Sequence, residues 1–123
     1  MIADDSRDKI LLLRHMLTQA GWNGTVLQAM TTEEVKKMID DNPEIAAAFI
    51  DFYIPSENGP AIIAYLRDRC PKSRIALVSS GDSPENSALA RAAGAEVTIC
   101  TSYEAEKVER TILDLLQLWI SET

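Results

Sequence analysis

Short apolar runs alternate with amphipathic segments along the whole chain. Apolar runs of three to six residues bounded by polar ones are typical of buried strands. Strands are predicted over residues 1–3, 25–29, 46–50, 75–78 and 97–100. A helical segment follows each of them, and such alternation indicates an α/β fold with a parallel sheet and helices on both faces.

Helix boundaries are marked by capping residues. Thr31 with Glu34 forms a capping-box pattern, and Ser83 with Pro84 is typical of an N-cap followed by proline at the first helical position. Gly21 ends the first amphipathic segment. Helices are predicted over residues 6–20, 31–41, 59–69, 84–94 and 103–120.

Composition and length indicate one globular domain spanning residues 1–123, of which 46% are hydrophobic and 25% charged. No apolar run approaches the ~18 residues that cross a bilayer, so we expect no membrane partner and a cytoplasmic location. The net charge of -7 argues against direct nucleic-acid binding, because an acidic surface cannot neutralise phosphates.

Polar side chains follow the predicted strands where each strand ends. Asp4 and Asp5 follow the first strand, Asp51 the third, Ser79 the fourth and Thr101 the fifth. The carboxyl ends of parallel strands meet at one edge of a sheet, and ligands bind there. We therefore expect three carboxylates and hydroxyl groups to converge.

Three crowded carboxylates repel one another unless a cation is present. Magnesium suits such a site, because it prefers oxygen ligands and keeps several waters. An unmodified aspartate beside that ion can attack a phosphoryl group and become an aspartyl phosphate.

Four motifs resemble those of the receiver domain of two-component response regulators, the chemotaxis-regulator-like family. They are "ADDS", "DFYIPSENG", "ALVSSG" and "AGAEVTICTS", in the family's order and at its spacing. The resemblance covers essentially the whole chain. It implies a flavodoxin-like, doubly wound (βα)5 sandwich with strand order 2-1-3-4-5.

The resemblance also implies roles for individual residues. Asp51 would accept a phosphoryl group from a histidine kinase or phosphotransfer protein. Asp4, Asp5, Asp51 and the backbone carbonyl of Tyr53 would hold Mg2+, and Ser79 would hydrogen-bond the phosphoryl group and move on phosphorylation. Such a domain is a phosphoacceptor rather than a turnover enzyme.

The end of the fifth strand departs from the family. Thr101 and Ser102 stand where the family usually has Lys-Pro, and its lysine pairs with the phosphoryl oxygens. The nearest lysine along this segment, Lys107, should not reach the site, so we expect one cation to be absent. Thr101 can still donate a weaker, neutral hydrogen bond, or cap the last helix together with Glu104.

Two further positions are unusual. Thr98 replaces the aromatic residue that often reports the switch on strand five, so coupling to the surface is expected to be altered. Tyr53 is bulky enough to shield a phosphoryl group from water, and we hypothesise slow dephosphorylation.

Other interpretations remain open at this point. The missing lysine favours a receiver-like interaction module that works without phosphorylation. A flavin carrier would need a phosphate-binding loop after the first strand, where "DDSRDK" has the wrong charge. Additional apolar residues on the last helix suggest a homodimer through the face of helix 4, strand 5 and helix 5.

Overall fold

The computed structural model describes residues 1–122, which form a five-stranded parallel sheet. The sheet strands are β1 (Ile2–Ala3), β2 (Gln28–Ala29), β3 (Ala47–Ile50), β4 (Arg74–Ser79) and β5 (Val97–Cys100). Their order across the sheet is β2-β1-β3-β4-β5, with every pairing parallel. The predicted architecture and strand order are confirmed.

Four helices connect successive strands of the sheet, and a fifth follows β5. They are α1 (Arg7–Gln19), α2 (Thr32–Asp41), α3 (Gly59–Arg69), α4 (Pro84–Ala93) and α5 (Ala105–Ser121). The side chains of Ser6, Thr31, Asn58 and Ser83 each accept a hydrogen bond from a first-turn backbone N–H, which satisfies a donor that the helix leaves unpaired. Among residues 1–122, no helix is long and apolar enough to span a membrane.

A hydrophobic core lies on each face of the sheet. Because successive strand residues point to opposite faces, Phe49 packs on the side of α1 and α5, whereas Ile50 packs on the side of α2, α3 and α4. Both residues are buried, which explains why the strands read as continuous apolar runs.

The structure differs from prediction most at the second strand and in the segment after the third strand. β2 contains two residues instead of five, because its only neighbour β1 offers only Ile2 and Ala3 as pairing partners. A two-stranded hairpin of Tyr53–Ile54 and Glu57–Asn58 was not predicted. Its turn holds Ser56 at a φ of 84°, in the left-handed region that few non-glycine residues adopt.

The register of the sheet determines which strand ends become neighbours. Ala3 pairs with Ile50, and Ile50 pairs with Leu77. Asp4 and Asp51 therefore leave the sheet side by side, and the Asp51 N–H donates to the Ala3 carbonyl at 2.9 Å.

Gly59 permits the tight return of the chain behind Asp51. A Cβ at this position would lie 2.5 Å from the Asp51 carbonyl oxygen and 2.9 Å from Cα of Phe52. The Gly59 N–H also donates to the Phe52 carbonyl at 2.6 Å. Helix α3 can therefore begin in contact with the Asp51 backbone only because residue 59 has no side chain.

We expect Gly59→Ala to lower the free energy of unfolding by about 1–3 kcal/mol, because backbone atoms must shift to admit the methyl group. Urea denaturation measures the change. Gly81→Ala is the matched control, since the nearest atom to a Cβ there is Ser79 Oγ at 3.9 Å. Equal stability of the two variants would contradict this account.

Candidate functional site

Asp4 lies directly after β1 and is almost fully buried. Its side chain is 1% exposed, and Oδ1 accepts a hydrogen bond from the Ser6 N–H at 2.8 Å. That bond fixes the carboxylate against the start of α1, as aspartate commonly does in turns. Burial raises the pKa of Asp4 above its ordinary value, and the Ser6 N–H and the Lys9 ammonium only partly oppose this effect.

Asp51 lies directly after β3 and is 7% exposed. Its Oδ1 accepts two hydrogen bonds at 2.9 Å, from the Phe52 N–H and from the Lys9 ammonium. Oδ2 accepts no hydrogen bond from residues 1–122. One oxygen of Asp51 is thus fixed and the other is free to bind or react.

Lys9 is the residue that the sequence analysis missed. Its Nζ lies 2.9 Å from Asp51 Oδ1, 2.9 Å from Asp4 Oδ2 and 3.1 Å from the Val78 carbonyl oxygen. The side chain is only 15% exposed. The ammonium thus bridges both buried carboxylates.

The lysine at the end of strand five is absent, as expected, but the site contains a cation from elsewhere in the chain. Lys107 does lie away from the site, since its side chain is 77% exposed and its ion pair is with Glu104. The cation comes instead from the first turn of α1. A signal was present in the sequence, because Lys9 precedes the buried Leu13 by four residues and the buried Met16 by seven. That spacing places it on the face of α1 that packs on the sheet.

The three acids form a cluster that could hold a metal ion. One carboxylate oxygen from each of Asp4, Asp5 and Asp51 lies within 4.8 Å of the others. Asp5 is exposed while the other two are buried, so the cluster opens to solvent on one side. Asp4 Oδ2 is buried and accepts no hydrogen bond from residues 1–122, although it forms the ion pair with Lys9.

Ser79 and Thr101 lie at the adjacent ends of β4 and β5. Ser79 is 6% exposed, and its Oγ accepts a hydrogen bond from the Gly81 N–H at 3.2 Å. The Thr101 hydroxyl donates to the Ser79 carbonyl at 3.4 Å. Helix α5 begins at Ala105 with Glu104 as its N-cap, so the interpretation of Thr101 as that cap was wrong. Three residues separate Thr101 from Ala105, too many for a cap.

The side chains of Tyr53 and Thr98 form no hydrogen bond or ion pair with the three acids, Lys9, Ser79 or Thr101. The Tyr53 side chain is 67% exposed and packs edge-on against Phe52, with ring centroids 4.8 Å apart. Tyr53 and Asp5 line one open groove together with the loop that follows. Thr98 is half-buried on β5, opposite Leu77.

Comparison with known proteins gives structural matches only. No protein-family model and no curated protein sequence matches the chain. Solved structures match over nearly the full length. A receiver domain protein from Methanospirillum hungatei is 23% identical with a TM-score of 0.78, and the match covers 99% of this chain and 95% of that one.

Two phosphorylated proteins match as well. A phosphorylated cyanobacterial phytochrome response regulator is 12% identical with a TM-score of 0.86, covering 99% of this chain and 93% of that one. A Burkholderia pseudomallei response regulator with a phosphorylated aspartic acid and a calcium ion is 21% identical with a TM-score of 0.75. That match covers 98% of this chain and 69% of the other. The chain has the fold of response regulator receiver domains.

Asp4→Asn should stabilise the protein at neutral pH when divalent metal is removed with EDTA. The pKa of Asp4 in the folded protein is raised above the ordinary 3.8. The contribution of Asp4 to the free energy of unfolding is therefore most favourable at low pH and is lost as the pH rises through the folded-state pKa. Asparagine keeps an oxygen for the Ser6 N–H and carries no charge.

Urea midpoints measured between about pH 4 and pH 7 should show the advantage of Asp4→Asn growing with pH. Asp41→Asn is the control, since Asp41 is exposed and pairs with Lys37 across the surface of α2. A lower midpoint for Asp4→Asn at pH 7 would show that its ion pair with Lys9 outweighs the desolvation of the acid.

Proposed function

We propose that this chain is a response regulator receiver domain that accepts a phosphoryl group on Asp51 in a magnesium-dependent reaction. The observation that carries the proposal is the meeting of three carboxylates at the carboxyl edge of a receiver-type sheet, within 4.8 Å of one another. The donor we propose is the phosphohistidine of a histidine kinase or phosphotransfer protein. The cytoplasmic location expected from the sequence is part of this proposal.

Asp51 has the properties of the phosphoacceptor. Its Oδ1 is held by the Phe52 N–H and by Lys9, which directs the unbonded Oδ2 to the reaction. In the transfer, a lone pair of Oδ2 forms the new P–O bond while the P–N bond to the donor histidine breaks. The bonding electrons stay on the imidazole nitrogen, which then takes up a proton. Asp51 becomes a mixed anhydride, and this modified protein is a product rather than a turnover intermediate.

The residues present fit a hard divalent cation. Asp4 Oδ2 is a buried carboxylate oxygen without a hydrogen bond from residues 1–122, and Asp5 adds a solvent-facing carboxylate. We propose Asp4, Asp5, Asp51 and the backbone carbonyl of Tyr53 as the Mg2+ site. A bound Mg2+ supplies charge stabilisation for the transferred phosphoryl oxygens.

Ser79 and Thr101 provide hydroxyl groups at the neighbouring strand ends. The Ser79 hydroxyl donates to no acceptor among residues 1–122, so its proton is available for a phosphoryl oxygen. We propose that Ser79 makes this bond and that Thr101 supports it through the Ser79 carbonyl. Thr98 remains our proposed second switch position.

The face of α4, β5 and α5 is the interaction surface we propose for a partner or a second copy of the chain. It exposes Leu89 and Leu118, each 53% exposed, and Tyr103, 57% exposed. Tyr103 also hydrogen-bonds Asp82, which links the two loops that follow β4 and β5. With a net charge of -7, direct binding to nucleic acid is not part of the proposal.

Acetyl phosphate with Mg2+ should add the mass of one phosphoryl group to the wild-type protein. Asp51→Asn should remain unmodified, because the amide is not a nucleophile of comparable strength. Intact-protein mass spectrometry measures both. An unmodified wild-type protein, or equal modification of the two, would favour an interaction module that works without phosphorylation.

Tyr53→Asn should shorten the lifetime of the phosphorylated protein severalfold, because the aromatic ring lines the open side of the site and restricts water. The decay of the phosphorylated mass after removal of acetyl phosphate gives the rate. Tyr103→Asn serves as the control, since it removes a similarly exposed ring from a different loop. Unchanged decay in Tyr53→Asn would rule out shielding by this ring.

A further inference from the structure

The ammonium of Lys9 is held by oxygen atoms from three strand ends. Asp4 follows β1, Asp51 follows β3, and Val78 lies near the end of β4. An ammonium carries three N–H donors, and here it has three oxygen neighbours at 2.9–3.1 Å. The side chain is therefore positioned by the site rather than by solvent.

Lys9 is also the only source of positive charge at Asp51 within the described part of the chain. Among residues 1–122, no other lysine or arginine places a nitrogen within 4.0 Å of the Asp51 carboxylate. At the end of β5, Thr101 directs its hydroxyl to a backbone carbonyl of β4. The position where the resemblance to receiver domains implies a lysine thus supplies a neutral group here.

We propose that Lys9, from helix α1, is the cation that pairs with the phosphoryl group on Asp51 and takes over the role of the absent lysine on strand five. This inference rests on the proposed function. Before transfer the ammonium contacts Asp51 Oδ1 at 2.9 Å, and the phosphoryl group is proposed to arrive on Oδ2 of the same carboxylate. The ammonium is therefore already beside the place where the phosphoryl oxygens arrive. After transfer the negative charge of Asp51 resides on those oxygens, and the ammonium follows it.

The partners of Lys9 determine how far it must move. Oδ1 retains the Phe52 N–H at 2.9 Å when the ammonium leaves, so no buried oxygen of Asp51 loses all its donors. Asp4 Oδ2 can keep its ion pair throughout, because a lysine head group bridges two acceptors at once. A small shift of a flexible side chain is sufficient to bring the ammonium to the phosphoryl oxygens.

The balance of charge also predicts how Lys9 affects the affinity of the site for a divalent cation. Three carboxylates and one ammonium leave a net charge of -2, which one divalent cation neutralises. Removal of the ammonium leaves -3 and should strengthen divalent binding, while it weakens binding of a phosphoryl group. A role that is only structural would not move these two affinities in opposite directions.

The test compares Lys9→Met with Lys107→Met, which removes the same charge from an exposed position on α5. Beryllium fluoride with Mg2+ is the phosphoryl probe, followed by fluorine NMR, and Mg2+ alone is titrated by calorimetry. In Lys9→Met we expect beryllium fluoride to bind at least about tenfold more weakly and Mg2+ about tenfold more tightly, as a lost close charge pair predicts. Lys107→Met should match wild type in both.

The double variant Lys9→Met with Thr101→Lys returns a lysine to the end of β5. It should recover beryllium fluoride binding to within a few-fold of wild type, since only the origin of the cation has changed. Failure of this rescue, or equal beryllium fluoride affinity in Lys9→Met and Lys107→Met, would overturn the assignment of Lys9.

Loss of Lys9 alone leaves two buried acids without a cation, which can prevent folding. In that event, Asp4→Asn is compared with Asp4→Asn plus Lys9→Met at a Mg2+ concentration at which Asp4→Asn measurably binds beryllium fluoride. The two variants lack the same proposed metal ligand and differ only in the ammonium. Weaker beryllium fluoride binding in the double variant supports the inference, and equal binding refutes it. A wild-type protein that binds no beryllium fluoride would overturn the proposed function and this inference together.

Discussion

The fold places two carboxylates side by side at the edge of its sheet, and the structure depends on a cation to keep them there. Ala3 and Ile50 are paired across β1 and β3, so Asp4 and Asp51 cannot separate without breaking the sheet. Both are buried, and carboxylates that share a dry site resist ionisation unless a positive charge is near. Lys9 supplies that charge at 2.9 Å from each. Removing the ammonium would leave both carboxylates uncompensated, and a loss of this kind typically costs about 3–5 kcal/mol.

Most of the architecture and the acidic part of the site could be predicted from the sequence. The apolar runs predicted the strands. Asp4 and Asp51 directly follow two of these runs, and the carboxyl ends of neighbouring parallel strands lie side by side, so the two carboxylates had to be close together. The caps at Thr31 and Ser83 were readable because their hydrogen bonds are local. Lys9 was missed because a long, flexible side chain can reach several places, and only the packing of α1 on the sheet decides which. Thr101 was misread for a related reason, since its bond to the Ser79 carbonyl depends on the pairing of β4 and β5.

The chain behind Asp51 limits how the site can be reached. Gly59 brings α3 against the Asp51 backbone, and the hairpin of Tyr53–Ile54 and Glu57–Asn58 forms the chain segment that connects them. Asp51 is 7% exposed, whereas Asp5 and Tyr53 lie open to solvent and line one groove. In the proposed reaction, a phosphoryl donor would approach along the side of Asp5 and Tyr53. The same opening would admit the water that later removes the phosphoryl group, so one groove would govern both the gain and the loss of the modification.

A cation on α1 changes where a signal would enter the protein. A lysine at the end of β5 would connect the phosphoryl group to the loop before α5. Here Thr101 joins that loop to β4 through its backbone, and Lys9 connects the site to the helix whose Ile10 and Leu13 lie in the core shared with α5. In the proposed reaction, a change of charge at Asp51 would act first on the first turn of α1 and reach α5 through packed side chains. Because packed cores shift between discrete arrangements rather than deform smoothly, the surface of α1 and α5 would then be a route of readout alongside the proposed face of α4, β5 and α5.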